Sequence, residues 1–117
     1  MNRPEEQLPQ KRNKFGAIRV KGTPDGDFDS KAEYKRWCEL KLLEKAGHID
    51  LLERQVPYVL HAGRIPIGKI IIDFRYREPG FGFVLEDKKG GKATQTRLFK
   101  WKAKHLKAEY GHDIRIV

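Results

Sequence analysis

A single cysteine, Cys38, stands in the whole chain, so no disulfide can close within it. A scaffold stapled by cystines is excluded, and a reducing compartment is the expectation. Asparagine is nearly as scarce: Asn2 and Asn13 both lie near the N-terminus. The four histidines, His48, His61, His105 and His112, are scattered without ligand spacing. Metal chemistry built on neighbouring His and Asn side chains is therefore set aside. No apolar run approaches the length that spans a bilayer, and the first residues are polar, without a signal-peptide core. These absences point to a cytoplasmic protein with no membrane partner. Acidic residues are outnumbered, 16 against 25 lysines and arginines, which leaves a formal charge of +9 and favours a polyanionic partner.

With 117 residues the chain has room for one domain with a real core. Residues 1–14 are polar, with two prolines and four basic side chains, and read as a flexible basic tail. Residues 15–117 read as the domain. Ala17-Ile18-Arg19-Val20 before Thr23-Pro24-Asp25-Gly26 suggests a small hairpin. Ser30 followed by Glu33 has the form of a capping box and opens a helix that runs to Ala46 and stops at Gly47. On it Glu33, Trp37, Leu40 and Glu44 share one row. Three strands follow: Ile49 to Leu60, whose Pro57 marks an edge or a bulge; Ile67 to Tyr76; and Phe81 to Lys89, broken by Gly90-Gly91. A second helix spans Ala93 to Glu109 and ends at Gly111. The alternating Asp113 to Val117 is a last strand. The order αβββαβ predicts an α/β fold with a small mixed sheet flanked by helices.

The strands carry the unusual chemistry. Asp73 is set among isoleucines in Ile70-Ile71-Ile72-Asp73-Phe74, where a carboxylate is costly to bury unless its charge is offset. The next strand ends in Glu86-Asp87-Lys88-Lys89. Two carboxylates on adjacent strands suit a magnesium ion, which prefers carboxylate oxygen and water. A lysine two residues beyond the second acid points to the same side of its strand, because side chains alternate. There it can hold an attacking water or stabilise charge developing on phosphate. Periodicity leaves two registers open, Asp87 with Lys89 or Glu86 with Lys88. Glu33 offers a third carboxylate, although capping alone would also account for it. From Lys88 to Lys107 the segment holds eight lysines and arginines and no acid. Lys100, Lys104 and Lys107 form one helical row. With Lys92, Arg97 and Lys102 they are the candidates for phosphate contact. Trp37 and Trp101 read as core or rim packing, and Cys38 as a small apolar residue within the first helix.

Asp73, the segment Glu86-Asp87-Lys88-Lys89-Gly90 and Glu33 on the preceding helix resemble the PD-(D/E)xK nuclease superfamily. Phe28 to Glu33, Ile72-Asp73-Phe74, Glu86 to Gly90 and Thr96 to Lys100 together are similar to a family of small phage and prophage proteins assigned to it. The resemblance covers roughly residues 14 to 117. It implies a restriction-endonuclease-like core and a Mg²⁺-dependent endonuclease acting on DNA, with Mn²⁺ able to substitute. A resolvase-like role on branched or replicating DNA, in the host cytoplasm if phage-encoded, follows at the family level. A homodimer is then expected, since two strands are cut. The resemblance makes Asp73 and Asp87 metal ligands, Lys89 the motif lysine because glycine follows it directly, and Glu33 the helix carboxylate. Glu86 and Lys88 remain the second pair. Ile72 stands where the superfamily's name has proline, and Lys88 occupies a middle position that is usually apolar.

Overall fold

The computed structural model describes residues 18–89 and 95–117. The segment 1–14, read as a tail, lies outside them, as do Gly90, Gly91 and Lys92. The order of elements is β1 (Val20–Thr23), β2 (Gly26–Phe28), α1 (Lys31–Lys45), β3 (Asp50–Ala62), β4 (Ile65–Glu78), β5 (Gly82–Asp87), α2 (Arg97–Tyr110) and β6 (Ile114–Ile116). It is a mixed α/β arrangement: β1 and β2 form a hairpin, and the other four strands make one sheet in the order β3-β4-β5-β6. The first two pairings in that sheet are antiparallel and β5–β6 is parallel. The order expected from the sequence is present, preceded by the expected hairpin.

Local chemistry accounts for the element boundaries. The Ser30 hydroxyl accepts from the Glu33 amide at 3.1 Å and starts α1. The Thr96 hydroxyl does the same for α2, accepting from the Phe99 amide at 3.1 Å. Gly111 ends α2 with φ 75°, a left-handed conformation that suits glycine. Pro57 sits in β3, an edge strand of the sheet, where a missing N–H removes no ladder bond from the interior.

Two cores flank the sheet. Trp37 and Leu40 of α1 pack on Phe28, Ile49, Phe74, Tyr76 and Val84. Leu106 of α2 packs on Leu60, Ile70, Ile72 and Leu85. Residues Ile70, Ile72, Phe74 and Tyr76 are all even-numbered on β4, and regular alternation would put them on one face. All four are buried, and the first two pack in the cluster of α2 while the last two pack in that of α1. The change falls at Asp73. Directly across the β3–β4 register, between the pairs Arg54–Phe74 and Val56–Ile72, stands Gln55. Its φ is 54°, in the left-handed region that side chains other than glycine seldom occupy. The sheet therefore changes the helix it presents to at the same level where β4 carries its half-buried acid.

Candidate active site at the fork of β4 and β5

The β4–β5 ladder runs from Glu78–Gly82 to Phe74–Glu86. Beyond that pair β5 turns to β6: Val117 donates to the Asp87 carbonyl at 3.0 Å, and Lys89 donates to the Val117 carbonyl at 3.1 Å. Two carboxylates fill the fork that opens. The Asp73 amide donates to Asp87 Oδ1 at 3.0 Å, and the Lys88 amide donates to Asp73 Oδ2 at 3.0 Å. Each acid is thus fixed by a backbone N–H that the strand ladder leaves over, one from each strand. This satisfies those donors and holds the two carboxylates at one level.

Lys89 Nζ lies 2.9 Å from Asp87 Oδ2 and 4.1 Å from the centroid of the Phe99 ring of α2. A cation on an aromatic face gains from the ring quadrupole, and both contacts fix the ammonium beside the acids. From the other side comes Glu33, only 5 % exposed. Its amide makes the cap, but its carboxylate reaches across to β3, with Oε2 3.5 Å from Gln55 Nε2 and 3.9 Å from Arg54 Nη2. The same Gln55 amide donates to Asp73 Oδ1 at 3.4 Å. Gln55 therefore bridges the helix acid and the strand acid, and its unusual backbone angle places it there.

Burial is the largest cause that raises the Glu33 carboxyl, to about 7, with Asp29 and Asp87 adding repulsion against the opposing Arg54 and Lys89. Burial likewise pushes Asp73 up, to about 8, and the charges of Asp87 and Glu33 add to it, while the Lys88 amide and Lys89 pull the other way. Acids withdrawn this far from water that repel each other accept either a proton or a cation. The donors are hard oxygens, which match Mg²⁺ or Mn²⁺ and not a thiophilic metal. Asp73 and Asp87 each retain lone pairs beyond the bonds above. Glu33, Asp73 and Asp87 are the acids that meet at the fork, and among the described residues no group of three or more acidic, His or Cys side chains is placed to hold a metal ion.

The structure keeps the alternative pair apart from this cluster. Glu86 is fully buried on the α1 side. Its carboxylate takes Arg36 Nε at 2.6 Å, Arg36 Nη2 at 2.9 Å and the Tyr76 hydroxyl at 2.6 Å. Burial and this bond raise Tyr76 to about 12, so it remains a donor. Lys88 brings its backbone N–H to Asp73. The neighbouring guanidinium of Arg75 is engaged elsewhere, with Glu53 and the Tyr58 hydroxyl. Sequence reasoning missed Gln55, Arg54 and Arg36. The polar triplet Glu53-Arg54-Gln55 inside an otherwise apolar strand was the available signal for the first two; Arg36 offered none.

Further along the surface, Lys100, Lys104 and Lys107 border a groove of about 440 Å³ between α2 and β6. Arg97 is exposed and Lys102 is half-buried on the same helix, and Lys92 lies outside the described residues. Trp37 is buried as expected, whereas Trp101 is 53 % exposed.

A mixed α/β fold with an acid–lysine cluster at a strand fork is what the fold and site define. Residues 12–116 match the family model described as "Protein of unknown function (DUF1064)", and the chain belongs to that family. Comparison with curated proteins and with solved structures gives no match.

Proposed function

We propose that this protein is a metal-dependent endonuclease of the PD-(D/E)xK type, built on a restriction-endonuclease-like core and acting on DNA. The observation that carries the reading is the fork itself: Asp73 and Asp87 linked through backbone amides, Lys89 2.9 Å from Asp87, and Glu33 tied to Asp73 through Gln55. A hydrolytic centre for a phosphodiester needs oxygen ligands for a divalent ion and a fixed cation beside them. A Mg²⁺ or Mn²⁺ ion held by Asp73 and Asp87, with Glu33 beside it, would supply Lewis acidity and a water of lowered pKa.

The chain's own residues do the rest. Lys89 presents an ammonium to the attacking water and to charge developing on the phosphate, and the Phe99 ring restricts where it can swing. Gln55 sets the spacing between Glu33 and Asp73. Glu86, Arg36 and Tyr76 anchor β5 to α1, so that the next residue, Asp87, is held in place. The excess of positive charge draws the polyanion.

The test is nicking of supercoiled plasmid and of branched DNA by the purified chain in Mg²⁺ or Mn²⁺. Asp73→Asn and Lys89→Met should each lower the rate at least a hundredfold. Wild-type rates in Asp73→Asn would refute the assignment.

A second reading, a non-catalytic nucleic-acid-binding module, is favoured by one observation. The Lys89–Asp87 ion pair already neutralises part of the acid cluster without any metal. Calorimetry separates the two: salt-sensitive DNA binding with no uptake of Mn²⁺ would select the binding module.

A further inference from the structure

The groove between α2 and β6 has a construction that duplex binding does not require. Its floor is apolar, made by Phe99, Ala103, Ile114 and Ile116, and Lys100 and Lys104 stand at its edge. Both lysines are exposed and neither forms an ion pair among the described residues. The acid at the rim, Asp113, is held by Lys107 at 2.7 Å. At about 440 Å³ the space falls within the usual range for small-ligand sites, roughly 300–1,000 Å³. It also touches the fork: Phe99 lines the groove and carries Lys89 over its ring.

We infer that this groove receives an unpaired nucleotide of the DNA, its base against Phe99, Ile114 and Ile116 and its neighbouring phosphates on Lys100 and Lys104. The inference rests on the nuclease reading above and names the form of its substrate: DNA with single-stranded character next to the scissile bond. A base in a duplex is stacked and cannot enter an apolar recess, whereas an unpaired base offers a flat apolar face to any aromatic or aliphatic wall. The lysine edge matches the phosphates by charge, and the floor matches the base. A purely electrostatic surface would prefer the duplex, whose charge density is higher. Preference for the single strand therefore reports the apolar floor.

The experiment measures binding of the full chain, in EDTA so that cleavage plays no part, to a labelled oligothymidylate and to a blunt duplex of equal strand length. The wild type should bind the single strand about tenfold more tightly, as expected for one or more stacked bases. Ile116→Glu places a carboxylate in the groove from an exposed position, and should lower single-strand affinity about tenfold while changing duplex affinity less than about twofold. Photo-crosslinking of an iodouracil-substituted strand to the wild type should map to Phe99 or its neighbours on α2 and β6, which keeps the inference testable even if Ile116→Glu folds poorly. Equal binding of both DNAs, with crosslinks elsewhere, overturns the groove assignment and leaves the nuclease reading standing. Binding of neither DNA overturns the groove assignment, and the nuclease reading is then judged separately by the plasmid assay in Mn²⁺. If a labelled acidic peptide with aromatic side chains binds more tightly than the oligonucleotide, and Ile116→Glu abolishes it, the groove belongs to a protein partner and the inference fails.

Discussion

At the scale of single residues, Asp73 and Glu86 show how one residue class can serve opposite ends. Both are acids in strands, Glu86 fully buried and Asp73 half-buried. Glu86 has a guanidinium and a phenol for its two oxygens. Asp73 has backbone and amide donors and two acidic neighbours. Replacing Glu86 by Ala should leave Arg36 and Tyr76 unmatched and cost about 3 kcal/mol, the usual scale for breaking a buried pair. Asp73→Asn keeps an acceptor for the Lys88 amide and removes a repelled charge. In metal-free solution near pH 8 it should raise stability, on the order of 1 kcal/mol; in Mg²⁺ or Mn²⁺ it should lower the proposed cleavage. Chemical denaturation of both variants checks the contrast; a destabilised Asp73→Asn would mean that the acid is not under strain.

The same residues set the pH dependence. Glu33 and Asp73 have folded values of about 7 and about 8, above the ordinary 4.5 and 3.8. The folded chain therefore retains protons that the unfolded chain has released, and stability falls as pH rises through that window. Thermal melts in EDTA should decline between about pH 4.5 and pH 8, and Mn²⁺ should recover the loss at the upper end, where the carboxylates are free to take it. Asp25, Asp50 and Glu109 act oppositely: bonds from Lys41, from Arg77 and from the His61 amide, respectively, hold them below their ordinary values, so their contribution is lost in acid. A flat profile between pH 4.5 and 8 would remove the argument for a strained acid cluster.

At the scale of elements, the fork depends on β5 leaving one neighbour for another. Antiparallel pairing with β4 stops at Glu86, and parallel pairing with β6 reaches Asp87. Leu106 of α2 is fully buried against residues of β3, β4 and β5, and it holds the sheet where the strands part. Leu106→Ala should cost about 2–5 kcal/mol, as for other buried leucines, measured by urea unfolding. The hairpins and both helices were legible from glycine turns and from capping residues, while Pro57 left an edge strand and a bulge both open for β3. The left-handed backbone at Gln55 was not, because such a conformation at a glutamine has no sequence signature. The choice between Asp87–Lys89 and Glu86–Lys88 was equally closed to periodicity: both helices offer a cover, and it is the bonds of Glu86 to Arg36 and Tyr76 that set the two acids apart.

At the scale of the whole molecule, charge dominates. The DNA binding proposed above, drawn by an excess of nine positive charges, should weaken steeply with salt. Reversal of Lys100 and Lys104 to Glu should weaken it further and flatten the dependence, as read by fluorescence anisotropy across a salt series. An unchanged slope would take α2 out of the phosphate-contacting surface. Among the described residues no helix is long and apolar enough to cross a membrane.

By itself the sequence determined the elements, their order and the presence of costly acids beside lysines, because capping, periodicity and desolvation act locally and leave marks in residue type. Tertiary structure alone decided which acids meet. The fork, the glutamine bridge from Glu33 to Asp73 and the sequestration of Glu86 all arise from contacts between segments far apart in the chain, where no local pattern records the partner.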